Sequence, residues 1–118
     1  MVNVGYRSRK LEKQCSIEKE AVRTFGKQMA DAVRAAIEDF EAAENLAVMA
    51  TFPQYHCEEL RGKRSGELSI VLVEPYRLVF FPLENPLPKK PDGGLDWSLV
   101  RNVRVKEVID YHGQGKRQ

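Results

Sequence analysis

The hydrophobic period of the chain changes once, and that change sets the class of fold. Met29, Val33, Ile37 and Phe40 recur at intervals of four, four and three, and Ala32 and Ala36 fill the same stripe. Lys27, Asp31, Arg34, Glu38 and Glu41 take the opposite side. This is the 3.6-residue repeat of an amphipathic helix. Residues 8–25 are helical in character too: Leu11, Cys15, Val22 and Phe25 share a face that Glu18 interrupts, and Gly26 separates the two stretches. So short a link predicts an antiparallel helical hairpin. Ahead of it, residues 2–7 alternate apolar and polar as a short strand does. Asn45 is expected to end the second helix, with residues 46–52 forming a short turn or helical piece before Pro53.

Beyond Pro53 the period is that of strands. Residues 57–60 lead into a basic turn, Arg61-Gly62-Lys63-Arg64-Ser65-Gly66. Residues 67–73 and 76–81 flank Glu74-Pro75 and read as a hairpin. Residues 82–94 hold four prolines and two glycines, which predicts a loop. Trp97 is placed to anchor its far end or to stack on a base. Val100, Val103, Val105 and Val108 mark a last strand that ends in Asp110-Tyr111-His112. The expected order is β-α-α-β-β-β-β, an α+β fold with two N-terminal helices packed on a small antiparallel sheet. The helices cover one face, so a ligand surface belongs on the other. Residues 1–112 form the expected single domain and 113–118 a flexible tail.

Composition removes several classes. With 118 residues the chain fits one compact domain. The formal net charge is only +2, so any polyanion must be steered by local clusters of cations. One such tilt lies at the C-terminal end, where Arg101, Arg104, Lys106, Lys116 and Arg117 stand against Glu107 and Asp110. The longest apolar run, near Ile70, is far shorter than the ~20 residues of a membrane helix. The first residues have no apolar core of a signal peptide, so a cytoplasmic location is expected. Cys15 and Cys57 are too few for a disulfide scaffold.

The chain shows no glycine-rich phosphate loop, no paired CxxC and no HExxH. With two histidines it cannot build a histidine-rich metal site, and no G-x-S-x-G elbow supports a hydrolase triad. What remains are polar residues at strand ends: His56 and Glu58, then Arg61, Lys63 and Arg64, then Arg77 inside an apolar strand, then Asp110, Tyr111 and His112. RNA cleavage by internal attack needs a base for the ribose 2′-hydroxyl, cations for the charge growing on phosphorus, and an acid for the leaving 5′-oxygen. These residues can supply all three without a metal or other cofactor. Each also has a plainer reading: Arg77 as a snorkelling or ion-paired strand residue, the basic turn as solvated surface, His56 as a strand-end residue.

Taken together, the motifs resemble a known family. Cys57-Glu58-Glu59-Leu60-Arg61-Gly62-Lys63-Arg64-Ser65-Gly66-Glu67-Leu68-Ser69-Ile70 resembles the "HxLKGDRxGxWSI" segment of HigB-type toxins in the RelE/ParE superfamily. Tyr76-Arg77-Leu78-Val79-Phe80 is similar to that family's aromatic-Arg strand, and Ile109-Asp110-Tyr111-His112 to its terminal "DYH". Gly93-Gly94-Leu95-Asp96-Trp97 looks like a loop of one subgroup of killer proteins. The resemblance implies a microbial-RNase-like α+β fold and a toxin of a type II toxin-antitoxin system. Such a toxin is a ribosome-dependent mRNA endonuclease held inactive by a helix-turn-helix, HigA-like antitoxin; apart from the resemblance, the free chain is expected to be a monomer that joins a larger toxin–antitoxin assembly. It implies an active site at Asp110, Tyr111 and His112, and phosphate contacts from Arg77, Lys63 and Arg64. Arg61 and Lys63 replace the family's Lys and Asp and add positive charge. The family's histidine aligns with Glu58. A carboxylate can serve as a base but repels phosphate, and His56, two residues earlier, should share its face of the strand.

The same fold also supports non-enzymatic readings: a ParE-like gyrase poison that binds and cleaves nothing, or a degenerate toxin that only binds its antitoxin. Loss of the family's histidine argues for these, and the terminal Asp-Tyr-His argues against them.

Overall fold

The computed structural model describes residues 1–110. Five strands form one sheet in the order β1-β5-β4-β3-β2. They are β1 (Asn3–Tyr6), β2 (Glu58–Glu59), β3 (Leu68–Val71), β4 (Tyr76–Pro82) and β5 (Asn102–Asp110). The helices α1 (Arg9–Ser16), α2 (Glu18–Phe25), α3 (Lys27–Ala42) and α4 (Leu46–Met49) lie between β1 and β2 in the chain. The architecture is α+β, as the change of period predicts. None of the described helices is long and apolar enough to cross a membrane.

Three details differ from expectation. The stretch 8–25 is two helices, not one. Ser8 caps α1 by accepting from the Leu11 N–H, and Ile17 then adopts an extended backbone before α2 begins. β-branched Ile17 tolerates that conformation readily, and the break lets both short helices pack on α3. Asn45 does not end α3, which stops at Ala42. Its side chain instead accepts from the Ala47 N–H and caps α4, a role amide side chains fill well. The sheet is also not wholly antiparallel, because β1 runs parallel to β5, Asn3 facing Asn102 and Tyr6 facing Val105.

The apolar stripe of α3 is core. Met29 is buried, and Val33, Ala36, Ile37 and Phe40 form one core with Leu68, Ile70, Leu78, Phe80, Val103 and Val105 of the sheet. Phe40 meets Phe80 edge to face, with centroids 5.0 Å apart. That contact contributes about 0.5–1.5 kcal/mol beyond burial.

One irregularity shapes the opposite face. In β4–β5, Val79 pairs with Glu107 but Phe80 pairs with Val105, so Lys106 is an extra residue in β5. This bulge lets two consecutive side chains, Lys106 and Glu107, reach the uncovered face and returns Val108 to the core side opposite Leu78.

Candidate functional site

Alternation along β4 sends Leu78 and Phe80 to the helices and Arg77, Val79 and Phe81 to the face the helices leave uncovered, where Val79 and Ser69 are nonetheless fully buried. Across the sheet, Glu58 faces Ser69, Ser69 faces Val79, and Val71 faces Arg77. The register therefore brings Glu58, Ser69 and Arg77 together. Arg77 Nη1 donates to Glu58 Oε2 at 2.9 Å and to Ser69 Oγ at 3.1 Å. The Arg77 side chain is 13% exposed, Glu58 42% and His56 68%, so the cluster opens outward through the imidazole.

His56 Nε2 stands 3.7 Å from Glu58 Oε1. It arrives there by a different route from the strand alternation expected, because β2 begins only at Glu58. His56 follows a 3-10 turn, Pro53–Tyr55, with a left-handed backbone of φ 45° and ψ 52°. Among the described residues no other non-glycine has a positive φ. Backbone in this region costs energy in a residue with a Cβ and tends to gather at functional sites. The turn is fixed from behind: Tyr55 is buried, its ring meets Phe52 edge-on, and its hydroxyl donates to Asp39 Oδ2 at 2.5 Å. Burial and that hydrogen bond push the Tyr55 hydroxyl well above its usual pKa.

A second network lies beside the first. Arg64 donates to Glu67 Oε1 at 2.8 Å and pairs with Glu107 Oε2 at 3.0 Å. Lys106 Nζ reaches Glu67 Oε2 at 2.6 Å. Burial alone would raise the Glu67 carboxyl, but the hydrogen bonds from Lys106 and Arg64 outweigh it and hold it below the usual range. Burial would likewise lower the Arg64 guanidinium, and Glu67 and Glu107 together hold it above. Arg64, expected at a solvated turn or on RNA, is thus folded over the sheet from the turn Gly62–Arg64.

The other expected residues are distributed around these two networks. Arg61 and Lys63 are exposed on the turn. Asp110 closes β5 opposite Tyr76, one position beyond the Arg77–Ile109 pair. Tyr111 and His112 lie outside the described residues. Trp97 is an anchor: its Nε1 donates to Glu59 Oε2 at 2.8 Å, tying the loop end to β2. The sequence reading missed Ser69, Glu67, Lys106 and Glu107 as members of the site. Glu67 and Ser69 stand on alternate positions from the core residues Leu68 and Ile70, which was the available signal.

Glu58, Glu67 and Glu107 are each engaged by a cation. Arg7, Arg61, Lys63 and Arg104 have no acidic partner among the described residues. The rim of this face therefore carries positive charge that is not internally neutralised. An exposed imidazole beside a carboxylate can take up and return a proton. A guanidinium next to it can hold a phosphoryl oxygen. Cys57 is no nucleophile here: burial and the charges of Glu58 and Glu59 push its thiol up to about 12. Among the described residues, no group of three or more His, Cys, Asp or Glu side chains is placed to hold a metal ion.

No family model and no curated protein matches the chain.

Proposed function

We propose that the protein is an RNA-cleaving toxin of a type II toxin-antitoxin system, acting on mRNA in the ribosomal A site by 2′-hydroxyl attack without a metal. The observation that carries this reading is the cluster His56, Glu58, Ser69 and Arg77 on the uncovered sheet face, rimmed by cations that lack acidic partners. The sequence resemblance to HigB-type toxins, which runs through Glu58, Ser69 and Arg77 themselves, supports the same reading. In this mechanism Arg77 holds a non-bridging phosphoryl oxygen, and the His56/Glu58 pair exchanges protons with the attacking or leaving oxygen. Asp110, Tyr111 and His112 complete the acid–base set, and Arg61, Lys63 and Arg64 position the RNA backbone. The partners are a helix-turn-helix antitoxin, the ribosome and mRNA.

The Glu58–Arg77 ion pair favours a second reading. It places a carboxylate where a phosphate would sit, as a protein that binds but does not cleave could tolerate. Mapping mRNA 5′ ends with purified protein, with and without programmed ribosomes, separates the two. Cuts within A-site codons are expected only with ribosomes, and Arg77→Ala should slow them by about 100-fold or more. Folded protein that makes no cut in either mixture excludes the nuclease and leaves the binder.

A further inference from the structure

A groove of 560 Å³ opens on the same face, at the end away from His56. Phe81 lies on the uncovered side of β4 and lines it. Pro82 and Leu87 add apolar walls, and Arg7 and Lys106 stand along it. The Arg7 Nε donates to the Lys106 carbonyl at 2.8 Å, which orients the guanidinium while leaving its terminal nitrogens without an acidic partner. Arg104, opposite Phe81 in the register, stands beside the groove without lining it. Two carboxylates also line the groove, and only one of them is paired with cations. Glu67 is held by Lys106 and Arg64, whereas Glu84 Oε2 accepts only from neutral donors, the Arg101 N–H at 2.7 Å and Asn102 Nδ2 at 3.0 Å, and its Oε1 is buried without a hydrogen-bond partner among the described residues.

The groove thus joins the Arg7 guanidinium, its one lining cation without an acidic partner among the described residues, to an aromatic, apolar interior. A free phosphate fits only the guanidinium and an apolar ligand only the interior, whereas a nucleotide matches both. We propose that this groove is a nucleotide subsite, distinct from the Arg77 cluster, in which Phe81 stacks on a base and Arg7 with Arg104 receives its phosphate. The inference rests on reading this face as an RNA surface. Arg77 and Phe81 are four residues apart on one side of one strand, about 13 Å by strand geometry. One single strand laid along the face can therefore meet both, cleaved at one and held at the other. Stacking on an aromatic ring tolerates any base, so the subsite contributes affinity and register more than sequence choice.

NMR titration of isotope-labelled protein with AMP, ribose 5-phosphate and adenosine tests the subsite, reading the amides of Gly66, Phe81 and Lys106. AMP should move these amides saturably, and ribose 5-phosphate should bind about tenfold more weakly because it lacks the stacked base. Phe81→Ala and, at an exposed position, Arg7→Ala should each weaken AMP by about fivefold or more, while Arg77→Ala leaves it in place. The proposal is overturned if AMP moves no groove amide, if ribose 5-phosphate binds as tightly as AMP, or if both groove variants bind like the parent. No cleavage enters the titration, so a failed nuclease assay and an empty groove are separate results.

Discussion

Glu67 is the residue on which the uncovered face is most dependent. It accepts from Arg64 and Lys106, joining the turn after β2 to the bulge of β5. Its carboxyl is held below the usual range, so the folded protein binds the Glu67 proton less readily than the unfolded chain does. The stability this contributes is fully present above the unfolded glutamate pKa, about 4.3. It is lost as the pH falls through the lower folded value. Glu67→Gln should cost about 1–3 kcal/mol at neutral pH and flatten the acid limb of stability, as measured by urea unfolding between neutrality and acid. A parent and variant with parallel acid limbs would refute this role. Arg64 shows why such pairs are hard to read from sequence. Its i,i+3 partner Glu67 is local and visible, but Glu107 meets it only through the pairing of β3, β4 and β5. The same holds for Arg77, whose strand is legible from its apolar neighbours and whose partner Glu58 is set by a register two strands away.

At the scale of elements, β5 is the instructive case. Val103, Val105 and Val108 are spaced by two and then three, and a regular strand cannot put all three on one face. The bulge at Lys106 resolves the mismatch, so the three-residue interval was a legible sign of it. Deleting Lys106 leaves Val105 and Val108 on the core side and Glu107 on the open side. That variant should fold with a loss limited to the Lys106–Glu67 bond, the Arg7 bond to the Lys106 carbonyl and the local twist, about 1–3 kcal/mol. Deleting Val105 removes a core side chain and sends Lys106 towards the helices, which should abolish cooperative unfolding. Circular dichroism melts of the two deletions check the contrast, and equal stability would contradict the bulge assignment. The helical part was less legible at its joints. The stripe of α3 was plain, but the break at Ile17 and the capping role of Asn45 depend on which turn wins locally, and periodicity does not report that.

At the scale of the whole molecule, the net charge of +2 understates the charge this face presents. Glu58, Glu67 and Glu107 are consumed by internal pairs, so Arg7, Arg61, Lys63 and Arg104 act on a ligand with little compensation. If all four neutralise phosphates, the affinity for single-stranded RNA should fall with a slope of about −3 in log K against log salt. Fluorescence anisotropy with a labelled oligonucleotide would measure it, and a slope near zero would remove the face as a polyanion surface. The α+β class was legible because it follows from a change of period, but the parallel edge was not, since nothing local in residues 3–6 says which neighbour they take. That edge has a kinetic corollary. Asn3 and Asn102 are 99 positions apart in the chain, yet they lie side by side, and β5 separates β1 from the rest of the sheet. The N-terminal strand has no ladder to join until the last strand has emerged and paired with β4. Its docking closes the longest loop in the domain, which makes it a late, high-contact-order step of folding. A ribosome that has made only the first hundred residues therefore carries the helices and β2, β3 and β4 with the His56, Glu58, Ser69 and Arg77 positions, but not yet β5, whose Lys106 and Glu107 tie that face together.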